Sequence, residues 1–294
     1  NTATPNSTII VEAGTYPENL TINKALILQS ASGAVTTIIS PSSGTAVSIT
    51  SDDVIIDGFT ITNPNGLIGI IASNRNDIII RNNIITQIGS NFSNPGSNAF
   101  GISISTTGGT SINNISIEDN EISAIHGGLP PNRTRNATGI VIGFSGTTGT
   151  ITNLLIDNNN IYDIKASLPN NRGAYGILIN YGTGSTGYVD APSIVNNTIN
   201  DLEGHWAHGI GLETNTPNAI IEGNTFSNIV ATKTYDKYAL FFETNPSIGT
   251  VTVNNNNFNS THGIGIHSVL LGTLTNEVLN AELNWWGDAS GPWY

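Results

Sequence analysis

Ile78-Ile79-Ile80-Arg81-Asn82-Asn83-Ile84-Ile85 is the stretch from which the rest of the chain can be read. Its skeleton is apolar, any, apolar, two residues, Asn, any, apolar: Ile78, Ile80, Asn83, Ile85. The same skeleton returns as Ile115, Ile117, Asn120, Ile122 and as Leu154, Ile156, Asn159, Ile161. It continues through Ile194, Asn197, Ile199, then Ile221, Asn224, Phe226, then Val251, Val253, Asn256, Phe258. Val54, Ile56, Phe59 and Ile61 form an early copy with Phe in the Asn slot, and Leu279, Asn284 and Trp286 a worn last one. Between copies sits a second phrase, Gly-apolar-any-apolar, at Gly101–Ile104, Gly139–Ile142, Gly176–Ile179, Gly209–Leu212 and Gly263–Ile266. Ala239–Phe242 keeps the pattern without Gly.

Alternation with period two on short Ile-rich segments predicts strands with one buried face. No stretch carries a convincing helical period. The Asn anchors are 24 to 39 residues apart, too close for a strand–helix–strand unit in every repeat and right for a coil of three short strands. One such coil cannot bury its inward row alone, so coils must stack. Parallel connections are right-handed. The expectation is therefore an all-β, right-handed parallel β-helix of about nine or ten rungs, a rod roughly 45 Å long at about 4.8 Å per rung. It is read as a single domain over residues 1–294 and as a possible segment of a longer surface protein. The anchor Asn is expected to sit inside the rod, stacked amide on amide, and to supply the left-handed residue of the bend.

Composition narrows the partners. The 294 residues carry a net charge of −12 and only 10% charged residues, with no Cys and no Met. A thiolate metal site, a cysteine nucleophile and a disulfide framework are excluded. An acidic surface disfavours nucleic acid and anionic membranes, and no apolar run reaches transmembrane length. Eight N-x-[S/T] sequons, from Asn6 to Asn259, permit glycosylation.

The opening Ser7–Ser30, Val35–Ile39 and the closing Asn284–Pro292 ("NWWGDASGP") resemble the pectin-lyase-like superfamily, and within it the secreted β-helix proteins grouped as carbohydrate-binding and sugar-hydrolase domains. The resemblance spans nearly the whole chain. It implies a parallel β-helix, an extracellular or cell-surface setting and a polysaccharide or cell-surface glycan as partner. It does not choose between structural and enzymatic members.

Insertions fall in two phases of the repeat. One row, 87–99, 123–138, 163–173, 201–207 and 229–237, holds six of the nine Lys and Arg residues. Arg133, Arg135, Arg172, His205, Trp206, Tyr235 and Lys237 are the candidate glycan contacts, since aromatic faces and cations together suit sugar rings and acidic partners. The other row, 105–113, 143–152 and 181–191, is almost uncharged. A carboxylate column, Asp57, Glu118, Asp157, Glu222 and Glu282, is expected to face solvent. No cofactor is expected, although Ca²⁺ between Glu118 and Asp157 is the one metal option.

Catalytic candidates are thin. Arg133, Lys165 and Arg172 could act on a uronate, and Glu213 with Glu243, one rung apart, could form a carboxylate pair. Against this, the polygalacturonase phrases of the resembling family are missing: Ala207 stands where G-H-G needs Gly before His208, and there is no R-x-K. The sequence thus favours a structural or adhesive rod, with a lyase or hydrolase as the alternative. Trp285, Trp286 and Trp293 are expected either to plug the core or to meet another copy end to end.

Overall fold

Stacked copies of the skeleton give each inward Ile an identical neighbour above and below, and that is how the chain folds. The computed structural model describes residues 3–91, 98–127, 136–145, 148–166, 172–181, 187–213, 216–233, 237–242, 250–259, 264–266, 278–287 and 291. Among them lie three parallel sheets and no helix. Ile78–Arg81 belongs to sheet A, Ile84–Ile88 to sheet B and Ala99–Thr107 to sheet C; the chain then re-enters sheet A at Ile112–Glu118, one rung on. Sheet A has eleven strands, two of which, Tyr188–Asp190 and Ser193–Val195, share one rung by pairing with the same strand, Thr150–Asp157. Ten rungs result, a right-handed parallel β-helix of the expected size. No helix among the described residues is long and apolar enough to cross a membrane.

Register makes the core. Ile56, Ile80, Ile117, Ile156, Ile194 and Ile221 are successive partners in sheet A, each fully buried. Burying one such side chain stabilises the fold by about 1.5–3 kcal/mol, and a one-residue slip would turn a whole column outward.

The Asn anchors are interior, as expected. Each amide donates to the side-chain oxygen of the next anchor: Asn83 to Asn120 at 3.1 Å, Asn120 to Asn159, Asn159 to Asn197 and Asn197 to Asn224 at 3.0 Å. Asn224, Asn256 and Asn284 prolong the ladder. The same oxygen accepts the backbone N–H of the preceding anchor, and the amide also donates to two carbonyls; for Asn120 these are Ile80 and Glu118. The bonding capacity of a buried amide is thus used in full, which removes its desolvation cost. The bend itself works differently from the sequence reading. The left-handed residue is the one before the anchor: Gly58, Asn82, Asp119, Asn158, Asn196, Gly223 and Asn255 all have positive φ. Division of labour explains this, because an anchor must point its amide inward while its neighbour turns the chain.

The recurring Gly of sheet C has a steric cause. A Cβ on Gly101, Gly139 or Gly176 would lie 2.6–2.7 Å from the carbonyl oxygen of the stacked Gly on the next rung. At the far end, Trp286 packs on the core with its ring 4.9 Å from Phe258, which stacks 5.5 Å from Phe226. Trp286 is therefore a plug, Trp285 is 49% exposed, and Trp293 lies outside the described residues.

Candidate functional site

On the outer face of sheet C, the residue before each Gly, or before Ala239, forms one register column: Phe100, Thr138, Tyr175, His208, Tyr238. Three residues on, Ser103, Val141, Leu178, Gly211 and Phe241 form a second. Outward positions of a sheet ordinarily meet water, yet here Tyr175, Leu178, His208, Val141 and Phe241 are all buried. Large side chains in the two columns fold over one another. His208 stacks on Phe241 with centroids 4.2 Å apart, stands edge-on to Tyr175 at 5.4 Å and approaches Tyr238 at 5.9 Å. Gly211 makes this possible, because a Cβ there would meet Leu178 at 3.1 Å and the Tyr175 ring at 3.3 Å.

Trp206 borders the cluster. It packs against Val141, Tyr175 and Leu178, remains partly exposed, and donates from Nε1 to the Tyr175 hydroxyl at 2.7 Å. Gly173 lies beneath the indole, where any side chain would collide with it. His205 stands edge-on to Trp206 at 5.6 Å, its Nδ1 3.2 Å from the Thr232 hydroxyl. An indole fixed on one edge by a hydrogen bond and backed by packed rings presents a rigid apolar plane to solvent.

The other candidates separate. Arg172 is exposed at the same corner, and its carbonyl accepts the His205 N–H at 2.8 Å. Residues 201–207 are not a loop: strands Thr198–Gly204 and Trp206–Leu212 leave only His205 between sheets B and C. Trp206 therefore opens a strand, which explains its fixed position. Lys237 pairs in register with Ala207 and follows the small-residue column of Ala137 and Ala174 rather than the aromatic one. Lys165 forms an ion pair with Asp163 at 2.5 Å, and Asp163 also faces His126 at 3.3 Å, so this lysine is held as a charge partner. Glu213 is buried just past Leu212, its N–H bonded to the Ile179 carbonyl at 2.7 Å. Arg133, Arg135, Tyr235 and Glu243 lie outside the described residues. Tyr175, Tyr238 and Phe241 are not among the candidates read from the sequence, where His208 appears only in the failed G-H-G match.

The carboxylate column needs correction. Arg81 occupies it between Asp57 and Glu118. Asp57 is not a solvated carboxylate: it is buried, meets Arg81 Nε and Nη2 at 3.0 Å and accepts from Asn82 at 2.8 Å. Glu118 and Asp157 are register partners as expected, and Asp157 accepts an amide proton from Asn196 at 3.0 Å. Among the described residues no three His, Cys, Asp or Glu side chains gather as a metal site.

No family model and no curated protein matches this chain. Among solved structures it is similar to the A-module of the Azotobacter vinelandii mannuronan C-5 epimerase AlgE4, at 14% identity over 95% of this chain and 90% of that one, with a TM-score of 0.32.

Proposed function

We propose that this chain is a β-helix rod of the pectin-lyase-like kind, working outside the cell or on its surface, where it contacts a glycan through the outer face of sheet C in a structural or adhesive role. The observation that carries the reading is the partly exposed Trp206 plane, pinned by Tyr175 and bordered by His205 and Arg172. Apolar C–H faces of sugar rings pack on such a plane, and neighbouring donors fix their hydroxyls. Contact with further copies of the rod, end to end through the half-exposed Trp285, belongs to the same proposal. The test is retention on a glycan array, which Trp206→Ala should abolish; an unchanged profile contradicts the reading.

The second reading, a polysaccharide lyase or hydrolase on the same face, has one observation in its favour. His208, on the outer face of sheet C, and Glu213, just past the end of its strand, are both buried titratable groups, a residue type that catalytic sites also use. Incubation with pectate, alginate and neutral plant glycans separates the two. The rod should yield neither unsaturated uronates nor new reducing ends, and steady product lost in His208→Ala would establish the enzyme instead.

A further inference from the structure

The outer face of sheet A carries a second surface, on a different sheet from the aromatic columns. Its floor is the register column Ile27, Ile55, Ile79, Ser116 and Leu155, outward side chains that remain partly exposed. One wall is formed by Asn6, Asp53, Asp77, Asn114 and Asn153, all with positive φ. Floor and wall enclose a groove of about 450 Å³. Beyond the floor on the other side runs the column of Asp57, Arg81, Glu118 and Asp157.

The charge along this groove is one-sided. Arg81 is taken by Asp57. Asp53, Asp77, Glu118 and Asp157 form no ion pair among the described residues. Four unneutralised carboxylates thus flank an aliphatic strip. Like charges held this close repel, and a cationic occupant relieves that repulsion.

We infer that this groove binds an extended segment of a protein partner, with Leu, Ile or Val side chains on the floor and Lys or Arg side chains against the flanking carboxylates. Its lining contains no aromatic ring, so a sugar would find no plane to stack on. The sign excludes nucleic acid and anionic lipid. Strand addition is excluded too, since the strands from Leu26–Ser30 to Thr150–Asp157 are paired on both sides. Recognition must therefore come from side chains, with the segment lying along the rod axis. From Asn6 to Asn153 the groove crosses six rungs, about 24 Å at about 4.8 Å per step, which an extended peptide covers in about seven residues.

The test is fluorescence anisotropy of a labelled eight-residue peptide alternating Lys and Leu, at physiological salt, beside a Lys–Ser peptide of equal charge. The Lys–Leu peptide should bind at least about tenfold more tightly. Asp53→Asn with Asp77→Asn should weaken it about tenfold, while Glu12→Gln with Glu18→Gln, the same change in net charge on exposed residues elsewhere, should leave it unchanged. Asn tolerates the left-handed backbone at both positions, so the first pair keeps the fold. Equal binding of the two peptides, equal effects of the two pairs, or no binding would overturn the inference. So would self-association that disappears in Asp53→Asn/Asp77→Asn without any peptide binding, since the occupant would then be a second copy.

Discussion

The outer faces of sheets A and C are built on the same rungs and have opposite finishes. On sheet C five of the outward side chains in the two columns are rings, and they fold over their neighbours until Tyr175, His208 and Phe241 are buried. On sheet A they are aliphatic but for Ser116, stand in single file and stay partly exposed between carboxylates. Inward rows are dictated by the helix and resemble each other everywhere. Outward columns are free, and the choice made there separates a surface that has become a second core from one that keeps apolar area in reserve.

The widest gap should appear in stability. Tyr175→Ala removes a buried ring and orphans the Trp206 N–H, so it should cost about 3–5 kcal/mol in denaturant unfolding. Ile79→Ser on sheet A should cost no more than about 1 kcal/mol, because its side chain is only partly buried. Similar losses at the two positions would erase the distinction. A smaller effect is expected at Asp57→Asn, which strips Arg81 of its charge partner; partial exposure of the arginine limits the cost to about 1–2 kcal/mol. Glu118→Gln in the same column should be nearly silent, and urea midpoints of the two variants decide this. Gly173→Ala should displace the Trp206 indole and lower the urea midpoint, because its methyl would also press on the buried Tyr175 ring; indole fluorescence together with weaker glycan retention would report the displacement.

The smallest effect belongs to sheet B, which serves as a reference face. Tyr162 donates to Glu121 at 2.5 Å, and this bond first, then burial, raises its pKa above the ordinary 10.0. The folded state thus holds the phenol proton more tightly than the unfolded chain. The associated stability is complete below the ordinary phenol pKa and is lost as pH rises through the raised folded value. Wild type and Tyr162→Phe should therefore differ slightly at neutral pH and converge in strong alkali; a gap that widens with pH would have the wrong sign.

Most of the frame was legible in the sequence. The offset of Asn83, Asn120 and Asn159 from inward Ile announced an interior ladder, and the Gly phrase announced sheet C. Two things were hidden. Which residue of Asn82-Asn83 turns the chain depends on backbone angles that two adjacent Asn do not distinguish. The pairing of Arg81 with Asp57 is hidden because the position two residues before each anchor carries a carboxylate in most copies and an arginine in one, and only register sets the two side by side. For the candidate site, the loop-borne cations are the conspicuous feature of the sequence. The better signal is the residue before the repeated small residue: it is Phe100, Tyr175, His208 and Tyr238, with Thr138 the one polar exception, where a solvent-facing strand position ordinarily is polar. It was readable, but only register shows that these residues stack.

The most direct test pairs one change on each face. Trp206→Ala and Ile79→Ser are purified, shown to be folded by far-UV circular dichroism, and applied with wild type to the same glycan array. The account predicts that Trp206→Ala loses retention while Ile79→Ser matches wild type. Retention kept by Trp206→Ala, or lost in Ile79→Ser, would contradict the assignment of glycan contact to sheet C.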